Sequence, residues 1–461
     1  MFAGIAAGFF VCSLFVSCIS TNGTEGSTDK KSSSLTLDEQ TYKGVSLYVA
    51  TGDPEQAISA FERAKKEAPD DPDTMVLYAA LLMSAGMIDE ADAELSAILG
   101  KYPEHTGALY NMALVKDVQG KPDERDALLT KILEIDPDHA KANAMMGEIY
   151  MAKEKTGLAE KSFAKSIKKD PDNLVAQMGY GNALRQNEKY EESLKALDKA
   201  AEIAPDYSFV YLDRAKTKLR LRDIKGADDD LGLAIKTDPD YYWHYIDRGK
   251  VRLIEMGDLN GAFEDFNHAV ELRPDYFYAY VYRGAIYLDF WKPEKAAADL
   301  LFVYSLEPKY DRIYGQLGSA LYMTGDYEQA AGFFQLLVPH RKGDYGAMLL
   351  DIVCLRKAGK KEEARKLAEE LYPKIPRDHV MYHIARAYAE EGYEANAFRN
   401  MEQEKDRARK LQASFFMAEL YDMTGKENLA QKLYIEVHDG NILEMDETRL
   451  ANWECRRFGV E

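Results

Sequence analysis

The chain has 461 residues, 46% of them hydrophobic, with a formal net charge of −19 and four cysteines. That much apolar material excludes a disordered chain, and the acidic balance excludes the basic footprint of a nucleic-acid binder. Cys12 and Cys18 fall in an apolar leader, which leaves Cys354 and Cys455 isolated in the body and excludes a disulfide framework.

The leader, MFAGIAAGFFVCSLFVSCIS, carries no charged side chain, and the polar stretch TNGTEGSTDKKSSS follows it. It resembles a bacterial lipoprotein signal: an apolar run, the small Ser17, then Cys18, then a flexible tether. Phe15 departs from the Leu, Val or Ile usual at its place, and no Lys or Arg precedes the run. The resemblance implies a signal peptide over 1–17, acylation of Cys18, and a tether over 18–37. A signal-anchor helix is the other reading, because about 20 apolar residues can span a bilayer. Both export the body, to face the periplasm or the outside.

Beyond the tether the sequence repeats. Prolines stand at 69, 103, 137, 171, 205, 239, 274 and 308, spaced by 34 residues except for a single 35. Small residues keep the same beat: Ala79, Ala113, Gly147, Gly181, Ala215, Gly249, Gly284 and Gly318. A second small residue follows twelve later (Ala91, Ala159, Ser193, Ala227, Ala296, Ala330), and a bulky one four beyond that (Leu95, Phe163, Leu197, Leu231, Leu300, Phe334). Within each half the apolar spacing is that of an amphipathic helix, so each unit predicts two helices, A and B. Small side chains at the crossing let the two approach. Pro ends helix B because it cannot continue a helix, and the Asp after it, as in Pro137-Asp138 and Pro171-Asp172, is expected to cap the next helix A. Gly86, Gly120, Gly325, Gly359 and Gly425 are placed to turn the chain between A and B.

This pattern resembles the tetratricopeptide repeat. The resemblance implies an all-α, right-handed superhelical solenoid of about twelve antiparallel helix pairs. Units start near 38, 72, 106, 140, 174, 208, 242, 277, 311, 345, 378 and 411, so the array covers 38–444, with a capping helix in 445–461. Arg125 departs from the expected Ala in the third unit, the seventh unit holds one extra residue between Gly249 and Ala262, and the proline beat fails after Pro308. Units six to eight each carry an Arg before the small residue of helix A and an Asp before the bulky residue of helix B. Arg214 with Asp230, Arg248 with Asp265, and Arg283 with Asp299 are therefore expected to touch as structural ion pairs.

No catalytic motif stands in the sequence: it lacks H-E-x-x-H, G-x-S-x-G, a P-loop, G-x-G-x-x-G, C-x-x-C and an EF-hand loop. His379 and His383, four apart on a helix, want a third ligand and read as surface histidines, so neither metal nor cofactor is expected. Function then falls to surface. In the family the A helices line the concave groove, and its groove places carry here Asn182, Arg185, Phe209, Lys216, Arg220, Trp243, Lys250, Tyr278, Arg312 and Tyr322. Arg, Trp and Tyr anchor protein interfaces. The expected partner is a peptide or helical segment, acidic or aromatic, and the expected role is a non-enzymatic envelope scaffold, with a membrane reached through the lipid and no nucleic acid. The clamp by which chaperone-binding members hold a C-terminal carboxylate is missing, because Met178, Asp213, Trp243 and Asp247 take its places beside Asn182. The alternative is a transporter-associated lipoprotein that handles a small ligand, which a closed pocket lined by Tyr and Trp of units seven to nine would favour.

Overall fold

A computed structural model describes residues 54–67, 71–341, 343–442 and 445–460. The leader, Cys18, the tether and the first predicted A helix lie outside the described residues. Within them the chain is all α: 24 α-helices and no strand. It divides into two units, residues 1–227 and 228–461.

In the first unit, α1 (Glu55–Glu67) is followed by four helix pairs: α2 (Pro72–Ser84) with α3 (Ile88–Lys101), α4 (Thr106–Val118) with α5 (Pro122–Ile135), α6 (Ala140–Ala152) with α7 (Thr156–Lys169), and α8 (Leu174–Gln186) with α9 (Tyr190–Ile203). Helix α10 (Ser208–Arg220) comes next, and α11 (Ile224–Thr237) runs across the division. The small-to-bulky pairing has a direct cause. A Cβ added to Gly147 would stand 2.6 Å from the Phe163 ring, and one on Gly181 2.7 Å from Leu197. Gly179, on the next A helix, leaves the Phe163 ring room on its other side. Gly147→Val is expected to cost about 1–3 kcal/mol by overpacking. Gly100, exposed on α3 with open space around it, gives the opposite sign: Gly100→Ala should gain about 0.5–1 kcal/mol. Thermal unfolding followed by circular dichroism checks both, and equal effects would remove the crossing argument.

Two details of the turns differ from expectation. The Asp after Pro137, Pro171, Pro205, Pro239 and Pro274 does not cap. It is the second residue of a turn that the Pro opens, and the N-cap is one place later: His105, His139 and Asn173 accept from the third N–H of their helices at 3.0–3.2 Å. The turn is held instead by a side chain six places after the Pro. Asn143, Gln177 and Tyr211 donate to the carbonyls of Pro137, Pro171 and Pro205 at 2.8–3.0 Å. Arg125, in the place of the expected Ala, turns outward to pair with Asp117 and Asp126.

The second unit holds α12 (Tyr242–Val251) with α13 (Leu259–Leu272), α14 (Phe277–Asp289) with α15 (Pro293–Leu306), α16 (Tyr314–Thr324) with α17 (Tyr327–Leu337), α18 (Gly346–Lys357) with α19 (Lys361–Leu371), α20 (Val380–Ala389) with α21 (Glu394–Gln403), and α22 (Arg407–Met423) with α23 (Glu427–Gly440). Helix α24 (Asp446–Arg457) ends it. The extra residue of the seventh repeat is absorbed as a π-helical turn, Arg252–Met256, closed by Gly257 at φ +67°. A π turn takes one more residue than an α turn, so the A helix widens and the following B helix keeps its seat.

The two units pack differently. In the first, buried apolar residues fall into three clusters, each confined to neighbouring repeats. The second begins with a further confined cluster, Ile246 to Ile286, and then one cluster runs unbroken from Leu288 to Cys455. Its central element is α22, four residues longer than expected at its start, which packs against α18, α20, α23 and α24. Cys354 and Cys455 are both buried and free.

Candidate functional site

The ion pairs come first because they set the A helices. Arg248 donates to Asp265 through Nε (3.0 Å) and Nη2 (2.6 Å), and Arg283 donates to Asp299 through Nε (2.7 Å) and Nη2 (2.8 Å). Arg252, on the π turn, joins Asp265 at 3.2 Å and Asp228 at 2.8 Å. Burial pushes the Asp265 carboxyl up, against the pull of Arg248. Arg283 also reaches back to Asn267 on the preceding B helix. Arg214 makes that backward reach, donating to Asp198 at 3.0 Å. Asp230 is buried and lies past the division between the units. These charges stitch A to B and face no open site.

Of the expected groove residues, those in the first unit form a polar network. Asn182 donates to Asp213 at 2.8 Å and accepts from Arg185 at 2.8 Å. Lys216 lies 3.7 Å from Asp213, and Arg220 is exposed. Phe209 is half-buried against the exposed Tyr207, ring centres 5.5 Å apart. In the second unit Lys250 has Asp247 at 3.9 Å. Each groove lysine thus has an acid one helical turn before it, which lowers the basic character expected of this face.

The aromatic members are joined by rings that spacing alone did not single out. Trp243 and Tyr242 both lie with ring centres 5.0 Å from Tyr276, Tyr276 lies 5.6 Å from Tyr278, and Tyr278 is stacked on Phe277 at 4.1 Å. Phe277 and Tyr278 both meet Tyr310 edge-on, at 5.4 and 5.8 Å. The strip runs along the starts of α12, α14 and α16. It is half-buried throughout, with Tyr278 38% exposed. Burial and the neighbouring Tyr242 push the Tyr276 hydroxyl up. A signal was present. Two places after Pro103, Pro137 and Pro171 stand His105, His139 and Asn173, which cap their helices. The later repeats have Tyr207, Tyr241, Tyr276 and Tyr310, and the first three of these stand at N-caps without making a side-chain cap bond. An aromatic at a capping place gives up the cap for ring contact.

Tyr322 is a correction. The family pattern puts it on the groove, but it is 1% exposed, because α24 does more than cap the last repeat: it packs back onto α16 and α22. The Tyr322 hydroxyl lies 2.6 Å from Glu419 and 2.7 Å from Glu454, and accepts from Lys357 at 2.6 Å. Lys357 Nζ in turn sits 2.9 Å from Glu419 and 3.1 Å from Glu454. Burial works to lower the Lys357 ammonium, but the two carboxylates outweigh it and hold it above its usual range. Arg312 is exposed and lines a cleft of about 390 Å³ with Gln316, His340, Arg341 and, from α24, Asp446 and Arg449.

His379 caps α20, accepting from the Met381 N–H, and His383 bonds Tyr393. Among the described residues no group of three or more His, Cys, Asp or Glu is placed to hold a metal ion, and no helix is long and apolar enough to cross a membrane.

Tetratricopeptide-repeat family models match residues 48–116 and 144–208. A search of curated proteins finds no match. Similar solved structures include the C-terminal part of a TPR repeat-containing protein from Cytophaga hutchinsonii, 15% identical with a TM-score of 0.43, covering 52% of this chain and 99% of that one. A tetratricopeptide repeat protein from Parabacteroides merdae is 18% identical with a TM-score of 0.38, covering 55% and 99%. PilF of Pseudomonas aeruginosa is 18% identical with a TM-score of 0.39, covering 46% and 95%.

Proposed function

We propose that this tetratricopeptide-repeat protein is a non-enzymatic scaffold of the bacterial cell envelope, tethered through acylated Cys18, which grips an aromatic or acidic segment of a partner protein. The observation that carries the grip is the strip of Tyr242, Trp243, Tyr276, Phe277, Tyr278 and Tyr310. Rigid rings offer contact area at little entropic cost, and Trp and Tyr dominate interface energetics. Arg312, exposed in the same unit, supplies charge for a carboxylate.

A photoreactive phenylalanine at position 278 should crosslink a defined partner in cells. The same residue at position 302, the exposed Phe302 of α15, should not. Adding Trp243→Ala should cut the 278 product about 30-fold, as loss of about 2 kcal/mol at an anchor implies. Identical products from both positions, or indifference to Trp243, would end the reading. Mass spectrometry of the mature N-terminus tests the tether: an acylated Cys18 supports it and an uncleaved leader removes it. Small-ligand handling beside a substrate-binding protein has less support, since the rings stand half exposed and the cleft beside them is lined by Arg312, Arg341 and Arg449.

A further inference from the structure

Helix α24 is an unusual piece of core. Three of its buried residues are acids: Asp446, Glu447 and Glu454. Each is met by a polar group from a different repeat. Asp446 pairs with Arg341 at 2.8 Å, Glu447 accepts from Gln412 of α22 at 2.8 Å, and Glu454 pairs with Lys357 of α18 at 3.1 Å. Its basic residues reach outward, Arg449 to Asp289 of a further repeat at 3.6 Å and Arg457 to Asp422 of α22 at 2.7 Å. Its fully buried apolar residues are Leu450, Ala451 and Cys455, and Trp453 packs half-buried on the same core. Its seat therefore combines apolar anchors with buried polar fits, the mixture found at protein interfaces. Unfinished hydrogen bonding points the same way, since the buried hydroxyls of Thr448 on α24 and Ser319 on α16, and the buried Oε1 of the half-buried Gln316 on α16, lack a hydrogen-bond partner.

A further contact comes from Trp291. The place between helices A and B that is Gly at 86, 120, 325 and 359 holds Glu154, Glu188 and Arg222 at φ +55° to +62° and carries Trp291 at φ +54°. The turn thus accepts a side chain in the left-handed region, and here that side chain is an aromatic ring. The Trp291 ring stacks on Trp453 of α24, centres 6.3 Å apart, and lies under the Arg456 guanidinium at 5.1 Å.

We infer that the face formed by Trp291, Arg341, Lys357 and Gln412 is a second protein-docking surface, which the free chain covers with its own α24. It takes from a partner protein a helix of the same chemistry: two adjacent acids in the first turn and a Trp-Glu pair about two turns later, as in Asp446-Glu447 and Trp453-Glu454. This surface is separate from the aromatic strip, so either can fail alone.

The test uses the full chain and a synthetic peptide of residues 441–460 carrying Cys455→Ala. N-ethylmaleimide labelling is followed by mass spectrometry at Cys455, buried on α24, with Cys354, buried on α18, as the internal reference. Excess peptide should trap α24 off its seat and speed Cys455 labelling at least tenfold while leaving Cys354 unchanged. A peptide with Glu447→Gln and Glu454→Gln should lose that effect. Trp291→Gly, which suits the turn while removing the ring, should speed Cys455 labelling without peptide. The inference is overturned if the peptide changes nothing, if a scrambled peptide acts equally, or if Cys354 keeps pace with Cys455. A labelling rate that rises with protein concentration overturns the partner named here, because the occupant would then be the α24 of a second copy.

Discussion

Lys357→Met should destabilise the C-terminal unit by about 3–5 kcal/mol, the cost of leaving buried carboxylates without their cation. Lys357 is 8% exposed, Glu419 is fully buried, and Glu454 is 7% exposed at the side chain. Tyr322 and Tyr434 both lie within hydrogen-bond reach of the same Glu419 oxygen, so they soften its charge without replacing the ammonium. Burial already pushes the Glu419 carboxyl up, and losing Lys357 pushes it further. A carboxyl raised in the folded state binds its proton more tightly there than when unfolded, so the penalty is full above the raised value and shrinks as pH falls through it. The deficit at pH 8 should therefore exceed that at pH 5, and Lys357→Met with Glu419→Gln should recover part of it. All three tryptophans follow residue 228, so urea unfolding read by their fluorescence reports this unit. A midpoint unchanged at pH 8 would show that the cluster holds nothing.

Asp265→Ala is expected to cost a similar amount, about 3–5 kcal/mol, for the converse reason. Asp265 is 1% exposed and serves both Arg248 and Arg252, whose side chains are 19% exposed. Its loss takes from Arg248 its two-pronged carboxylate and leaves Arg252, on the π turn, with Asp228 alone, where water reaches both poorly. The comparison that decides is Arg273→Ala, which breaks the Arg273–Asp275 pair. Both members of that pair are open to solvent, and such a pair adds little to stability. If the two substitutions shift the urea midpoint equally, burial is not what gives these pairs their strength.

The repeat was legible because its information is local. A 34-residue beat, a Gly or Ala at the crossing and a Phe or Leu sixteen places later determine a helix pair without reference to anything distant, and the helices start where that beat puts them. Arg283 and Asp299 were readable for the same reason: they arrive together within one unit. The N-caps were misplaced by one residue because the turn after Pro consumes the Asp. The aromatic strip needed rings on three successive repeats to be seen as one surface, although Tyr241, Tyr276 and Tyr310 keep the beat. What could not be read was the fate of Tyr322. Its partners Glu419 and Glu454 lie 97 and 132 residues away, and α24 reaches them through the fit of whole repeats to one another. No spacing rule within a unit encodes that return.

The contrast between the confined apolar clusters before Leu288 and the continuous cluster after it bears on how such a chain can change over generations. Where each cluster involves only adjacent hairpins, a hairpin can be duplicated or deleted with damage limited to its two neighbours. From Leu288 onward every hairpin shares its interior with the others and with the final helix, so deleting any one should scramble the rest. Length variants of this protein should accordingly differ in the number of hairpins near the front and keep the rear block whole.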